Sequence, residues 1–374
     1  MTKNVGIQKC AEYNYDAVKS ALNKIMKDVP PPNCEGKVVL LKPNILSPKK
    51  PDAAICTHPV VVEAAVSLFL ERGAKKVLVG ESPATANSTL AAKATGMYDA
   101  IVRAGGEWAD FSSKVTISCE KGKMIKSFDF ASPFAQADIV VSVSKLKTHQ
   151  LMAYTGAMKN LFGLVVGLEK AKTHYRFPKK EDFACYLTDL NIAAKPSYAI
   201  MDAIIGMEGL GGPGNGDPVQ LGFLAASDNI LALDWTCAEI VGYKPSSILN
   251  LQDALNRKIW LTNPAEIEIK GESKEAVKPA KFAIVKETAA ATSLQKMLPS
   301  WLNSLATFVF VKTPHFNKNK CIRCGKCIEI CPPQTLHFEE KNGKKWVKIN
   351  KTNCIHCFCC HEICPVDAIQ LKRF

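Results

Sequence analysis

One cysteine pattern is given twice near the end of the chain, and no other feature restricts the fold as much. Cys321, Cys324, Cys327 and Cys331 read C-x2-C-x2-C-x3-C-P into Pro332, and Cys354, Cys357, Cys360 and Cys364 repeat the spacing into Pro365. Nine of the 15 cysteines lie between 321 and 364; Cys359 stands outside the spacing and is a spare. Disulfides would need an oxidising compartment, and the opening "MTKNVGIQKC" shows no apolar run of an export signal. Zinc modules use CxxC units, but a tight CxxCxxCxxxCP run given twice is far less common among them.

The doubled motif resembles the bacterial two-cluster ferredoxin module, and the match covers both runs completely. Two-residue gaps let one short loop wrap three thiolates around a face of a cubane, while the fourth cysteine, leading into a turn, is left for the other cluster. The resemblance therefore implies two 4Fe-4S clusters with crossed ligands: Cys321, Cys324, Cys327 and Cys364 for one, Cys354, Cys357, Cys360 and Cys331 for the other. Residues 312–374 hold 12 Lys and Arg against five Asp and Glu, so about half of the formal charge of +13 sits beside the cysteines. There it can offset the negative charge of loaded clusters. Elsewhere the lysines are scattered, and no nucleic-acid-binding signature accompanies them.

Ahead of the cysteines, strand-like and helix-like segments alternate, which predicts an α/β fold with a mostly parallel sheet flanked by helices. The runs "KVVLLKPN", "KVLVGES", "DIVVSVSKLKTH" and "YAIMDAIIGMEG" read as buried strands. "THPVVVEAAVSLFLERGAKK" reads as a helix with Thr57 as cap, Pro59 in its first turn and Gly73 as its stop, and "KVTISCEKGKMIKSFDF" as an inserted hairpin. The expected organisation is an α/β domain over 1–290, a connecting helix over 291–314 and a small α+β iron-sulfur domain over 315–374. No apolar run reaches the roughly 18 to 20 residues of a membrane span, and the expected location is the cytoplasm.

Each of those four strands meets conspicuous polar residues as its apolar run ends: Lys42 and Asn44; Glu81 and Ser82; Lys145, Lys147 and His149; Asp202. In open α/β sheets ligands bind at the carboxyl edge of the strands. After the third strand, "YTGAMKNLFG" places Gly156 and Ala157 ahead of a helix carrying Lys159 and Asn160. A helix start favours anions, so the reading is a cradle for an anionic ligand, with Lys147, Lys159 and His149 supplying charge. The loop "MEGLGGPGNGDP", with Gly211 among five glycines, is expected to fold over the ligand as a lid. Lys159, His149, Glu81 and Asp202 are the candidate catalytic residues; Asn44, Lys147, Lys159, Asn160, His174 and Gly211 are the candidate cofactor-binding ones.

The stretches "LLKPNIL", "THPVVVEAA", "VGES", "KLKTH", "YTGAMKNLFG", "KTHYR", "MDAIIGMEGLGGPGNGDP" and "LALDWT" resemble domain-of-unknown-function family 362, over roughly residues 36–245. The order His149, Lys159, His174 is also similar to the nickel-pincer lactate racemase family, whose lysine holds a pyridinium-derived cofactor; where that family has a further histidine, this chain has Glu81 and Ser82. Three functions are compatible with these residues. One is an iron-sulfur oxidoreductase that passes single electrons to a small molecule or cofactor in the α/β domain. Another is an electron carrier or maturation factor that docks a redox partner protein. The last, implied by the racemase resemblance, is a pincer-cofactor isomerase.

Overall fold

The alternating apolar runs become the strands of one sheet. The computed structural model describes residues 2–84, 87–285, 312–341 and 343–372. Contacts within the chain group residues 1–170 and 179–285 into one unit, and residues 171–178 with those from 286 onward into another.

In the first unit the strands are β1 (Lys3–Lys9), β2 (Val38–Pro43), β3 (Lys76–Val79), β4 (Glu107–Trp108), the pair β5 (Lys114–Ser118) and β6 (Ser127–Ala131), β7 (Ile139–His149), β8 (Ala153–Thr155), β9 (Tyr198–Glu208), β10 (Asp217–Ser227) and β11 (Ile267–Gly271). Nine of these, among the described residues, form one sheet in the order β11-β1-β10-β9-β7-β2-β3-β4, with β8 folded back on β7. β5 and β6 make the expected separate hairpin. The pairs from β9 through β7, β2 and β3 to β4 are parallel, as is β1 with β11. β10 lies antiparallel to both β1 and β9, so the sheet is mixed but mostly parallel.

Helices cover the sheet. α1 (Tyr15–Asp28) starts where Asn14 accepts the Ala17 amide at 3.1 Å, and buries Val18, Ala21, Leu22, Ile25 and Met26 at helical spacing. It packs with α2 (Pro59–Glu71) against Val39, Leu41, Val141, Val143, Ile200 and Ile204. Those residues alternate along β2, β7 and β9, so they define one face of the sheet. α3 (Ala157–Asn160) lies on the other face, where Ser142 Oγ donates to the Ala157 carbonyl at 2.9 Å. α4 (Glu169–Arg176) runs into the segment grouped with the second unit, and α5 (Lys180–Ala194) and α6 (Ile230–Ile240) both pack on α3.

Two expectations change in detail. His58, not Thr57, caps α2: its Nδ1 accepts the Val60 amide at 3.3 Å, while the Thr57 hydroxyl donates to Val143 O at 2.8 Å and accepts the Asn44 amide at 2.9 Å. Thr57 thereby ties the loop after β2 to β7. The third and fourth strands also run past the apparent ends of their apolar runs. Lys145, Lys147 and His149 lie within β7, and Asp202 is inside β9, opposite Lys145.

Among its described residues the second unit contains two short antiparallel sheets: β12 (Thr313–Phe316) with β15 (Ile369–Lys372), and β13 (Leu336–Lys341) with β14 (Lys344–Ile349). Its core is small and includes Cys327, Leu336, Val347, Cys360, Cys364, Ala368 and Ile369. The connecting helix expected over 291–314 lies outside the described residues apart from 312–314, where Thr313 opens β12.

Candidate functional site

The two cysteine runs exchange their fourth members. Cys321, Cys324, Cys327 and Cys364 line one small cavity. Cys331, Cys354, Cys357 and Cys360 line another, together with Cys359. Burial first, then the charges of Cys321, Cys324 and Cys364, push the Cys327 thiol up to about 11. Cys360 is raised in the same way, by burial and then by Cys357, Cys354, Cys327 and Cys331. Each cavity thus has four soft sulfur donors converging from two loops, the donor set a 4Fe-4S cluster requires. Ligation takes thiolates, so loading releases protons from these raised thiols.

In the α/β unit the polar residues form three hydrogen-bonded groups, and the pleat distributes them over both faces. On the α3 face, the Lys42 ammonium donates to Glu81 and to Asn160 Oδ1, the latter at 2.9 Å. Asn160 Nδ2 returns a bond to the Lys42 carbonyl at 2.8 Å and reaches Ser142 Oγ at 3.1 Å. Burial holds Lys42 below its ordinary value against the opposing pull of Glu81. A Cβ on Gly163 would stand 2.0 Å from Glu81 Oε1 and 2.4 Å from Lys42 Nζ, so only glycine lets the turn after α3 close on this pair. Beside them, Lys170 donates to the carbonyls of Ser82 and Val165. Burial, opposed by Glu81 and aided by Lys42 and Lys159, lowers its ammonium to about 8.

On the α1/α2 face, Lys145 donates to Asp202 Oδ2 at 2.9 Å and to the Tyr13 hydroxyl at 2.7 Å. Tyr13 in turn donates to Asp202 Oδ1 at 2.9 Å, and the His58 amide donates to Asp202 Oδ2 at 2.9 Å. The rings of Tyr13 and His58 stack at 3.6 Å. Both Asp202 oxygens are therefore committed to partners inside the fold. A third group lies at the end of β7, where Lys147 donates to Asn44 Oδ1 at 2.7 Å and to Ile55 O at 2.6 Å. His149 Nδ1 accepts the amides of Leu151 and Met152, at 3.0 and 3.2 Å.

Two parts of the expected cradle are used differently. The amides of Ala157 and Met158, which begin α3, donate to the Asp234 carboxylate at 2.6 and 2.9 Å. A Cβ on Gly156 would fall 2.2 Å from Asp234 Oδ1, so this glycine makes room for a side chain of α6 rather than for a ligand. Burial pushes the Asp234 carboxyl up to about 7 while the two amides pull it down. In the glycine-rich loop, Thr148 Oγ1 donates to Gly209 O at 2.8 Å and the Gln150 amide to Gly212 O at 3.0 Å. A Cβ on Gly211 would lie 1.7 Å from Asn215 O. Gly211 serves the loop's own turn, and the loop is fastened to the end of β7. His174 belongs to the 171–178 segment, which groups with the second unit.

The family model described as domain of unknown function (DUF362) matches residues 39–239, more than half of the chain. The chain belongs to the DUF362 family. The model of the 4Fe-4S dicluster domain matches residues 320–368, and that domain holds two 4Fe-4S clusters. A thylakoid-associated protein of Synechocystis is 31% identical over 287 residues, which cover 72% of this chain and 83% of that protein. Among solved structures, the lactate racemase apoprotein from Thermoanaerobacterium thermosaccharolyticum is similar with a TM-score of 0.40 at 16% identity, covering 64% of this chain and 57% of that one. A Thermotoga maritima protein is similar with a TM-score of 0.33 at 12% identity, covering 54% of this chain and 52% of that one. This chain thus spans under two thirds of either solved protein. No described helix is long and apolar enough to cross a membrane.

Within this DUF362 chain, Tyr13, His58, Lys170 and Asp234 are members of these hydrogen-bonded groups that reading along the sequence missed. Each joins its group from a distant segment and none ends an apolar run. His58 gives one of them a measurable signature. Burial lowers its imidazole to about 4, with Asp202 opposing and Lys145 assisting. The folded pKa lies below the unfolded value of about 6.5, so as pH falls the unfolded chain takes the proton first. The stability that neutral His58 contributes is complete above about 6.5 and is lost as pH falls toward 4. His58→Asn, which keeps an acceptor for the Val60 amide but cannot titrate, should flatten the urea-unfolding free energy across that window, by up to about 3 kcal/mol near pH 4.

Proposed function

We propose that this DUF362 protein is an iron-sulfur oxidoreductase, in which single electrons from the dicluster module reach a small anionic ligand or cofactor held at the carboxyl edge of the α/β sheet. The coarser part is given by the dicluster domain, which implies electron transfer. When bound, the clusters supply one-electron chemistry. The finer part rests on one observation: the Lys42–Glu81–Asn160 group, closed over by Gly163, lies beside Lys170 and Lys159 on one face of that edge. Burying a lysine costs several kcal/mol unless its partners repay it, and a plain strand end gains nothing from such a group. A site that gathers several ammonium groups stabilises the negative charge that an added electron brings.

In this reading Lys147 and Asn44 orient the ligand, Asn160 fixes Lys42, and Lys159 faces the developing charge. Lys170, lowered to about 8, is a group able to move a proton near neutral pH, and His149 stands at the end of β7 beside the ligand. The cytoplasmic location read from the sequence stays part of the proposal.

The test is anaerobic purification followed by mass spectrometry of released small molecules, for the natural chain and for Lys159→Ala. The natural chain should carry a small molecule. Lys159→Ala should bind it at least about tenfold more weakly, the loss of one charge-assisted hydrogen bond, with iron content and reducibility unchanged. A variant that differs only in thermal stability would return these lysines to a structural role.

A further inference from the structure

The surface of the C-terminal unit around the Cys321 loop combines an exposed apolar residue with positioned basic side chains, Glu340 opposite Lys345 and Glu339 beside Trp346 offsetting part of their charge. Cys324 is exposed while every other cysteine of the chain is buried or part-buried, so the ligand set of the first cluster reaches the surface here. Ile322, beside it, is 58% exposed. Arg323 is held in place by donating from Nε to Lys345 O at 2.7 Å. The Lys345 ammonium lies 4.1 Å from the Phe338 ring, and that of Lys318 lies 4.2 Å from the Trp346 ring. Such contacts position an ammonium without cancelling its charge. By contrast, Lys348 on the same hairpin is neutralised by Glu339 at 2.5 Å. Lys318, Lys320, Arg323 and Lys345 form no ion pair among the described residues, and all four are exposed.

We propose that this face docks an acidic redox protein carrying a one-electron flavin or iron-sulfur centre. The inference rests on the electron-transfer role of the C-terminal unit and is independent of the α/β site. An exposed apolar residue ringed by charge is the anatomy of a protein interface, and the charges set encounter rate and orientation. One electron crosses between the cluster of Cys321, Cys324, Cys327 and Cys364 and the partner's centre. The donor is oxidised by one electron, the acceptor is reduced by one, and no bond is made or broken. A phosphate-bearing surface would satisfy the lysines but has no centre to exchange an electron with.

The experiment uses the anaerobically loaded full chain and an acidic flavodoxin as the probe, with Lys318→Glu/Lys320→Glu/Lys345→Glu as the variant. Calorimetric Kd and stopped-flow transfer rates are measured between about 50 and 300 mM salt, where screening separates charge from shape. The natural chain should lose at least about tenfold in affinity across that range, and the variant about tenfold at low salt, with its iron content unchanged. If the variant loses iron, the same three positions changed to Gln should show a smaller loss of affinity in the same direction. Affinity and rate indifferent to both salt and charge reversal, in a chain whose iron stays intact and reducible, would overturn the docking face alone. Charge-dependent binding to phosphatidylserine vesicles or duplex DNA, without binding to flavodoxin, would overturn it in favour of a phosphate surface. A chain that takes up no iron would bring down the electron-transfer reading beneath it.

Discussion

Cys364→Ala should leave the chain with about half its iron, and the cluster lost should be the one held by Cys321, Cys324 and Cys327. The loaded natural chain should contain about eight iron atoms and eight acid-labile sulfides, two sets of four ligands. Cys364 lines the cavity of the first motif, and Cys331 that of the second. Pairs of substitutions separate this arrangement from ligation within each motif. With crossed ligands, Cys324→Ala/Cys364→Ala damages one cluster twice and keeps about half of the iron, whereas Cys354→Ala/Cys364→Ala loses nearly all of it. Ligation within each motif predicts the reverse. Cys359 also lines the second cavity, yet four better-spaced sulfurs already serve that site. Cys359→Ser should therefore keep nearly all of the iron; loss of half would place the ligand register one residue out.

What the sequence disclosed was set by distance along the chain. The cysteine runs were legible because the chemistry lies inside local spacing; even their exchange needs no more than 43 residues, from Cys321 to Cys364. The strands and the hairpin were legible for the same reason, since a β-branched run or an alternation is a local property. Polar partners were not. Asp234 reaches the start of α3 from 77 positions away, and nothing near Gly156 distinguishes room for a ligand from room for that carboxylate. Tyr13 meets Asp202 across 189 positions, and Lys42 meets Asn160 across 118. Reading strand ends gathered Lys42, Lys145 and Asp202 at one edge, but the two-residue period of the pleat sends Lys42 to one face and the Lys145–Asp202 pair to the other. The antiparallel placement of β10 between β1 and β9 was equally invisible, because pairing direction leaves no mark on its buried apolar run from Phe223 to Ser227.

Asp202→Ala should destabilise the α/β unit by about 3–5 kcal/mol, as removal of one partner of a buried ion pair does. Lys145 and Asp202 are essentially inaccessible to solvent, at 1% and 0% exposure. Losing the carboxylate strands the Lys145 ammonium, the Tyr13 hydroxyl and the His58 amide together. Removing both charges should cost far less than the sum of the single changes, because exchange of a buried pair for apolar groups is often near neutral. Urea unfolding of the loaded chain, followed by far-UV circular dichroism for Asp202→Ala, Lys145→Met and the double Lys145→Met/Asp202→Leu, gives that coupling. Tyr13→Phe added to the double should cost further stability, because the Tyr13 hydroxyl still accepts the Ile205 amide at 3.1 Å. The same series separates the two faces of the sheet. If Asp202 positions the fold and the ligand lies on the Lys42–Glu81–Asn160 face, the double variant should retain the bound small molecule with its affinity changed less than about threefold, under 1 kcal/mol. Loss of the ligand from a double variant that unfolds at nearly the natural urea concentration would instead put Asp202 in contact with it, and would move the site to the face of Tyr13 and His58.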